Sequence, residues 1–198
     1  TTPGFDWTLL SPVEYSSDGL LTIHTATARL AAALGDRVAI LGLPKHYLAA
    51  EVRSYQQQLL TELKRSGEST ASYVALYHPW LISRNDGGAL VHSHPAGGVC
   101  GAIAERSRSR GAWVAPANEV IADALGTIPA FSETDEAVLY QVGINPIRYC
   151  NLSALIWGAF TQSLAPELED LNVRRLLILL KRFATEVGQD YSFAAHSG

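Results

Sequence analysis

Two histidines with one residue between them, His92 and His94, have the spacing in this sequence that best suits metal chemistry. If this stretch is a β-strand, both imidazoles point to the same face and could bind one zinc ion. A catalytic zinc takes three protein ligands and an activated water. The carboxylate of Glu105, eleven residues after His94, is the candidate third ligand.

The four-residue string His92-Ser93-His94-Pro95 also resembles the metal site of JAMM-type deubiquitinases and their bacterial relatives. That family places a serine and an aspartate downstream, at the positions occupied here by Ala102 and Glu105. The serine is therefore missing and the carboxylate is longer. We keep a metal-dependent hydrolase as an alternative, beside the plain interpretation of two polar histidines next to a turn.

Motifs for nucleophilic catalysis and phosphate binding are incomplete. The sequence has no Walker loop and no G-x-S-x-G, and no glycine-framed turn surrounds Ser93, Ser132, Ser153 or Ser163. The stretch Gly97–Gly101 could present N–H groups to a phosphate at a helix start, but such glycines more commonly serve a turn or close backbone packing. We expect no catalytic, cofactor-binding or metal-binding residue, and keep a serine hydrolase on an α/β core as an alternative.

Charged residues form clusters that suit contacts between proteins. One is a cationic run; another is a pair of arginines at the start of the last predicted helix, where the macrodipole disfavours cations. Three acidic residues lie just upstream of that pair. A solvated face is the plain interpretation of such runs. The candidate subunit-contact residues are Arg106, Arg108, Arg110, Glu167, Glu169, Asp170, Arg174 and Arg175.

The composition argues against several classes of function. The length of 198 residues, with 47% hydrophobic, suits a globular chain with a substantial core. The net charge of −4 argues against nucleic-acid binding, which uses a basic face. No stretch approaches the ~18 consecutive apolar residues of a membrane span, so we expect no membrane insertion. Cys100 and Cys150 lack metal-type spacing and are expected to be small buried thiols.

Strand-like and helix-like stretches alternate along the chain. Helices are predicted where apolar residues recur at steps of three and four, or between capping signals: Leu20–Leu34, Tyr47–Arg65, Ala102–Arg110, Ala117–Leu125, from Ser132 or Thr134 to Gly143, and Val173–Val187. Strands are predicted at short apolar runs bounded by turn residues: Phe5–Leu10, Arg37–Leu43, Ser72–Leu81, Ala89–His92, Ile147–Cys150, Ala154–Thr161 and Tyr191–Ala195.

The apolar stretch Ser72–Leu81 is the predicted central strand. It is rich in strand-forming residues without clean alternation, which predicts that both faces are covered. Regular pairing should stop near His78 because Pro79 has no N–H. The apolar residues of Val173–Val187 form one stripe, which we expect to be buried. The predicted fold class is α/β, with a central mixed, mostly parallel sheet flanked by helices on both faces.

Seven strings, taken in order, resemble the core of contractile phage tail sheath proteins and of the sheaths of extracellular contractile injection systems. They are GDRVAILGLP (Gly35–Pro44), SYVALYHPWL (Ser72–Leu81), PAGGVCGAIAE (Pro95–Glu105), RGAWVAPANEVI (Arg110–Ile121), GINPIRY (Gly143–Tyr149), LIWGAFT (Leu155–Thr161) and LNVRRLLILL (Leu171–Leu180). The resemblance runs from about Phe5 to Ala195, which is nearly the whole chain.

This resemblance implies a structural subunit and not an enzyme. Such a subunit assembles helically around an inner tube and contracts to drive that tube through a target envelope. Its partners would be neighbouring copies of itself or paralogous sheath subunits, and the inner tube protein. No cofactor is implied. The particle would be a phage tail or a contractile injection system, assembled in the bacterial cytoplasm.

The resemblance also implies a subtilisin-like core topology without peptidase activity. Residues 1–198 would form a single core domain, without the family's N-terminal arm and its C-terminal tube-contacting domain. The segment Ser83–His94 departs from the family pattern, and relatives have Pro-Pro-Ser-Gly where this chain has His94-Pro95-Ala96-Gly97. A monomeric binding module on the same fold is a further alternative, which an absence of self-association would favour.

Overall fold

A computed structural model of the protein describes residues 7–9, 17–67 and 69–192, with the side chains of residues 18–67 and 69–188. Within these residues the chain forms five α-helices, namely α1 (Ser17–Leu34), α2 (Ala49–Arg65), α3 (Pro95–Arg110), α4 (Glu133–Gln141) and α5 (Leu171–Ser192). None of the described helices is both long enough and apolar enough to cross a membrane.

The described strands form two sheets. They are β1 (Trp7–Leu9), β2 (Val38–Gly42), β3 (Val74–His78), β4 (Trp80–Arg84), β5 (Leu90–Ser93), β6 (Glu119–Ile121), β7 (Gly126–Ile128), β8 (Asn145–Cys150) and β9 (Ser153–Ile156). The larger sheet has the order β1-β2-β3-β8-β9-β6, and the smaller has the order β5-β4-β7.

The larger sheet changes direction half-way across. The pairs β1–β2, β2–β3 and β3–β8 are parallel, whereas β8–β9 and β9–β6 are antiparallel. Both pairs of the smaller sheet are antiparallel. The prediction of a mixed sheet in an α/β fold is confirmed. The larger sheet has three parallel and two antiparallel pairs, and with the smaller sheet included the antiparallel pairs outnumber the parallel ones by four to three.

The predicted central strand is split by its proline. β3 is fully buried and ends at His78, as expected, because Pro79 cannot donate to the ladder. Trp80 then begins β4, which belongs to the other sheet and which the sequence patterns did not separate from β3. The indole Nε1–H of Trp80 donates to the Leu43 carbonyl at 2.7 Å, which ties the start of β4 to the end of β2.

Successive residues of β2 and β3 contribute to two separate core clusters, because side chains alternate along a strand. One cluster joins them to α3 and to the antiparallel strands, and includes Val38, Ile40, Ala75, Tyr77, Val99, Ile103, Ile147 and Ile156. The other joins them to α1, α2 and α4, and includes Ala39, Leu41, Val74, Leu76, Ala28, Val52, Leu59 and Leu139.

The predicted helix Ala117–Leu125 is wrong. Asn118 and Asp123 both have positive φ angles, of 60° and 59°, which a right-handed helix does not contain. Between them β6 pairs with β9, and the N–H of Asn118 donates to the Ile156 carbonyl at 2.6 Å. Tertiary pairing therefore overrides the local helix signal. The short strand β7, which follows, was not predicted.

The ends of two further elements differ from the predictions. β9 ends at Ile156, short of the predicted Thr161, and α5 continues through Ser192, where the strand Tyr191–Ala195 was predicted. Residues 193–195 of that predicted strand lie outside the described residues. Of the predicted strand Phe5–Leu10, the described part is β1.

The apolar stripe of α5 is largely exposed, which contradicts the expected burial. Leu177, Leu180 and Phe183 are 41%, 52% and 64% exposed. A different face of the helix is buried, and it includes Leu171, Arg174, Arg175 and Ile178. The amphipathic pattern predicted the helix correctly, but it did not predict which side contacts the core.

Candidate assembly surfaces

The two histidines of the predicted metal pair lie in different surroundings. His92 is exposed in β5, and Lys45 Nζ lies 3.3 Å from its Nδ1. His94 caps the N-terminus of α3, where its Nδ1 accepts from the N–H of Ala96 at 3.3 Å. The His94 ring also packs edge-on against Trp80, with centroids 5.4 Å apart. The spacing of the two histidines suggested a chelate, but His92 is a strand residue and His94 is a helix cap.

The candidate third ligand is engaged elsewhere. Arg108 donates twice to the Glu105 carboxylate, at 2.7 and 3.0 Å, and this pairing lowers the pKa of Glu105. Both side chains are exposed. Within the described ranges, no group of three His, Cys, Asp or Glu residues could hold a metal ion. The geometry thus offers the metal-dependent hydrolase no third ligand.

Burial holds three histidines neutral, namely His24 in α1, His78 at the end of β3 and His94 at the start of α3. Burial lowers the pKa of His24 to about 3, and those of His78 and His94 to about 4. His24 Nδ1 lies 2.7 Å from the Tyr55 hydroxyl, and His78 Nε2–H donates to the Tyr47 carbonyl at 2.9 Å. Their polar contacts are structural, and in the described part of the chain none of them is paired with a serine hydroxyl, as a hydrolase base would be.

Three of the four serines considered as nucleophiles serve local structure. Ser132 Oγ accepts from the N–H of Asp135 at 3.2 Å and caps α4. Ser93 Oγ lies 2.8 Å from Ser83 Oγ across the β4–β5 pair. Ser163 Oγ accepts from the N–H of Ala165 at 3.1 Å. These contacts give the serine-hydrolase alternative no support.

The glycine-rich stretch is helical and not a turn. α3 begins at Pro95, so the glycines lie inside its first turns. A Cβ added to Gly98 would lie 2.6 Å from Ile121 Cγ2 and 2.8 Å from Leu81 Cδ1. Gly98 therefore lets α3 approach β4 and β6 closely, which is the packing use of glycine considered above, and not a phosphate cradle.

Arg174 and Arg175 are inside the fold, 7% and 3% exposed. The Arg174 guanidinium lies over the ring of Tyr73, 4.3 Å from its centroid, and donates to the Ser72 hydroxyl. Arg175 Nη2 donates to Ser107 Oγ at 2.8 Å, which links α5 to α3. Their burial inside one chain leaves these two candidate contact residues little surface for a neighbouring subunit.

The cationic run on α3 divides into an internal and an external part. Arg106 forms an ion pair with Glu119 at 2.6 Å, and both side chains are mostly buried, at 19% and 23% exposure. Arg108 and Arg110 are exposed in the last turn of α3, where cations suit the helix dipole. Arg108 pairs with Glu105 of its own helix, and no ion pair of Arg110 is present among the described residues.

The acidic residues upstream of α5 are exposed. Glu167, Glu169 and Asp170 surround the short 3-10 helix Pro166–Leu168 and the start of α5. Their pairing with Arg174 or Arg175 is not observed among the described contacts. These three acids and the two exposed arginines of α3 are the predicted contact residues that the fold leaves accessible.

Two surface features were not found from the sequence. One is a groove of about 780 Å³ between α2 and the segment before α5, lined by Leu60, Lys64, Ser69, Ala71, Leu164, Ala165, Glu167 and Leu168. The other is the tip of the β8–β9 hairpin, where Leu152 is 87% exposed. The hydrophobic pattern of the sequence did not predict these features. The groove is formed by residues that are distant in the sequence, and the exposure of the hairpin tip depends on the geometry of the turn.

No protein-family model and no curated protein matches this sequence. Solved structures do match the fold. The contracted sheath complex of an extracellular contractile injection system, PVC, superposes on 87% of the chain with a TM-score of 0.67 and 23% identity. The contracted helical sheath of the anti-feeding prophage superposes on 94% with a TM-score of 0.58 and 22% identity. This chain has a contractile-sheath fold.

The same fold occurs in a sheath tail protein of Desulfitobacterium hafniense. That crystal structure matches 94% of this chain with a TM-score of 0.61 and 13% identity. The sheath-type chain described here spans 46%, 56% and 40% of the lengths of the PVC, anti-feeding prophage and Desulfitobacterium chains. It therefore corresponds to about half of each of those proteins.

Proposed function

We propose that this chain is the core of a sheath subunit in a contractile particle, either a phage tail or an injection system. The observation that carries the proposal is the shared fold, which extends over 87% to 94% of the chain in two sheaths and a sheath tail protein. The ordered strings from Gly35 to Leu180 support the same conclusion independently of the coordinates.

In this proposal the chain acts through its neighbours and not through catalysis. Copies of it, or paralogous subunits, assemble helically around an inner tube protein, in a particle assembled in the bacterial cytoplasm. Contraction is driven by contacts that are more favourable in the short state than in the long state. Residues 1–198 form the single core domain, with a subtilisin-like topology.

Open helical arrays need heterologous contacts, in which one patch of a subunit meets a different patch on the next. Arg108 and Arg110 at the end of α3 and the acidic residues Glu167, Glu169 and Asp170 are accessible patches of opposite sign. Charge complementarity between such patches sets the orientation of docking and speeds association. Their pairing between neighbouring subunits is part of the proposal.

Charge reversal at the end of α3 tests this contact. Arg110→Glu should reduce assembly into tubes, as counted by electron microscopy, while the melting temperature of the monomer falls only slightly, because an anion in the last turn of α3 opposes the helix dipole. Arg53→Glu is the matched control, because Arg53 is also an exposed helical arginine without an ion pair in the described chain. Adding Glu169→Arg to Arg110→Glu should restore part of the lost assembly.

Self-association separates this function from its alternatives. Tubes from the unmodified protein support a sheath subunit. A chain that stays monomeric at every concentration would favour a binding module instead. Normal assembly of Arg110→Glu would remove the charged contact from the proposal and leave the sheath assignment in place.

A further inference from the structure

The loop after α3 presents a large aromatic side chain to solvent. Trp113 is 58% exposed, although an indole is among the largest apolar groups that a fold can bury. Of the exposed large hydrophobic residues of the described chain, it is the closest in sequence to Arg110. Arg108 and Arg110 are exposed in the last turn of α3. Because tryptophan and arginine dominate the binding energy of many protein interfaces, this combination indicates a contact surface.

The Trp113 indole is already fixed in position within the single chain. A Cβ added to Gly111 would lie 2.4 Å from Trp113 Cζ2, so the ring lies directly against the glycine. Gly111 has a φ angle of 98°, which residues with a Cβ rarely adopt. The side-chain amide of Asn172 donates to the Trp113 carbonyl at 3.1 Å and holds the loop to the start of α5. A side chain held in this way loses little conformational entropy when it docks on a partner.

The groove between α2 and the segment before α5 carries the charge that complements the arginines of α3. Glu167 lines this groove, and Glu169 lies two residues further along the chain. Both carboxylates are exposed, and neither forms an ion pair among the described residues. Since a chain advances by at most ~3.6 Å per residue, Trp113 lies within ~11 Å of Arg110. A copy that docks Arg110 on these acids therefore brings Trp113 to the groove.

The size and the lining of the groove suit an indole. Apart from Glu167, Lys64 and Ser69 the lining is apolar, and it consists of Leu60, Ala71, Leu164, Ala165 and Leu168. Leu164 is 63% exposed, so this apolar surface is open to a partner. The volume of about 780 Å³ is far more than one leucine fills, and it has room for an indole with an arginine side chain beside it.

The lysine of the groove favours an aromatic occupant over an aliphatic one. Lys64 lines the groove and has no ion pair among the described residues. An ammonium group is attracted to the face of a tryptophan ring, whereas an aliphatic side chain offers it no such contact. Trp113 therefore matches the apolar lining and the lysine, and its neighbour Arg110 matches the acids.

We propose that the groove receives Trp113 of a second copy of this chain, with Arg110 of that copy facing Glu167 and Glu169. This inference rests on the proposed sheath function and deepens it, because it gives the charged contact of α3 an apolar anchor. The loop and the groove are different patches of one molecule, so the contact is heterologous, as an open helical array requires.

Truncation of the anchor tests the contact from the side of the loop. Trp113→Ala should weaken self-association at least about tenfold in sedimentation velocity over a concentration series, as expected for loss of an interface anchor. Its melting temperature should fall by only a few degrees, because the side chain is mostly exposed. Trp113→Phe keeps an aromatic ring and should retain most of the association.

A substitution in the groove tests the contact from the other side. Leu164→Ser should also weaken association. Leu90→Ser is the matched control and should associate normally, because Leu90 is 62% exposed and lies in β5, away from the groove lining. If Trp113 is the occupant, the two losses are coupled, so the double variant Trp113→Ala/Leu164→Ser should associate more strongly than the sum of the two single effects predicts.

The results separate this contact from the function on which it rests. Unchanged association of Trp113→Ala, or fully additive losses in the double variant, while the unmodified protein still forms tubes, would overturn the contact and leave the sheath function standing. Absence of any association in the unmodified protein would overturn both.

Discussion

The guanidinium of Arg174 lies over the ring of Tyr73, with Cζ 4.3 Å from the ring centroid, and Nη2 donates to the hydroxyl of Ser72. Arg174 Nη1 also donates to the Tyr73 hydroxyl at 3.3 Å. These contacts join α5 to the segment that leads into the central strand β3. They explain why a cation is tolerated near the start of a helix, where the macrodipole disfavours it.

Replacing Arg174 should destabilise the fold through the loss of its contacts with Tyr73 and Ser72. Arg174→Ala should lower the free energy of unfolding by about 2–4 kcal/mol, because it removes a desolvated cation–π contact and two hydrogen bonds. Arg174→Met should cost about half as much, since it keeps the stem and removes a buried charge. Urea denaturation measures both. Arg110→Ala, at an exposed position, should change stability by less than ~0.5 kcal/mol.

Asn145 should be the most sensitive polar residue of the core. Its Nδ2 donates to the carbonyls of Leu76 and Phe160 at 3.0 and 2.9 Å, and its Oδ1 accepts from the N–H of Phe160 at 2.7 Å. Asn145→Leu leaves three backbone groups unpaired and should cost about 3 kcal/mol or more. Asn145→Asp should cost at least as much, because it sets a buried carboxylate against two carbonyls.

Two adjacent glycines of α3 should respond in opposite directions to alanine. Gly98→Ala places a Cβ 2.6 Å from Ile121 and should destabilise by about 1–3 kcal/mol. The Cβ added by Gly97→Ala would have no atom within 4 Å, so this variant should stabilise the fold by about 0.5–1 kcal/mol through helix propensity. Thermal melts of both variants compare the effects directly. Similar melting temperatures for the two would contradict the close approach of α3 to β6.

The protein should lose stability as the pH falls below about 6.5. In the unfolded chain His24, His78 and His94 would bind protons near their usual pKa of 6.5, whereas in the fold their pKa values lie at about 3 to 4. The unfolded state therefore binds more protons between pH 6.5 and 4, so stability rises with pH across this window. Each histidine contributes up to about 1.4 kcal/mol per pH unit to the slope of the unfolding free energy against pH.

Urea denaturation at several pH values between 7 and 4 measures that slope. His94→Asn keeps an N-cap residue for α3 and removes one titrating group, so its slope should be smaller, whatever its stability at pH 7. A slope for His94→Asn equal to that of the unmodified protein would contradict this role of the buried histidines.

Local patterns predicted the helices α1, α2 and α5 and the strands β2, β3 and β8 because their apolar spacing is regular. They failed where tertiary pairing decides the structure. Asn118 and Asp123 adopt positive φ angles on either side of β6, which pairs with β9. The local sequence of Ala117–Leu125 does not distinguish this strand from a helix. The glycines after Pro95 predicted a turn, but they lie in a helix that packs closely on its neighbours.

The candidate contact residues show a similar limit. Charge patterning found Arg106, Arg174 and Arg175 together with the exposed arginines of α3, but only the fold shows that these three are largely internal. The spacing of His92 and His94 was compatible with a chelate until the structure placed one in a strand and the other at a helix cap. Burial depends on distant parts of the chain, which residue spacing does not report.

Electron microscopy of the protein, expressed with whatever sequence flanks these 198 residues in its gene, tests the central claim most directly. The sheath assignment predicts helical tubes whose walls repeat this fold, with each copy contacting its neighbours through different patches. Dispersed single chains at every concentration, or an assembly in which the fold is absent from the tube wall, would contradict it.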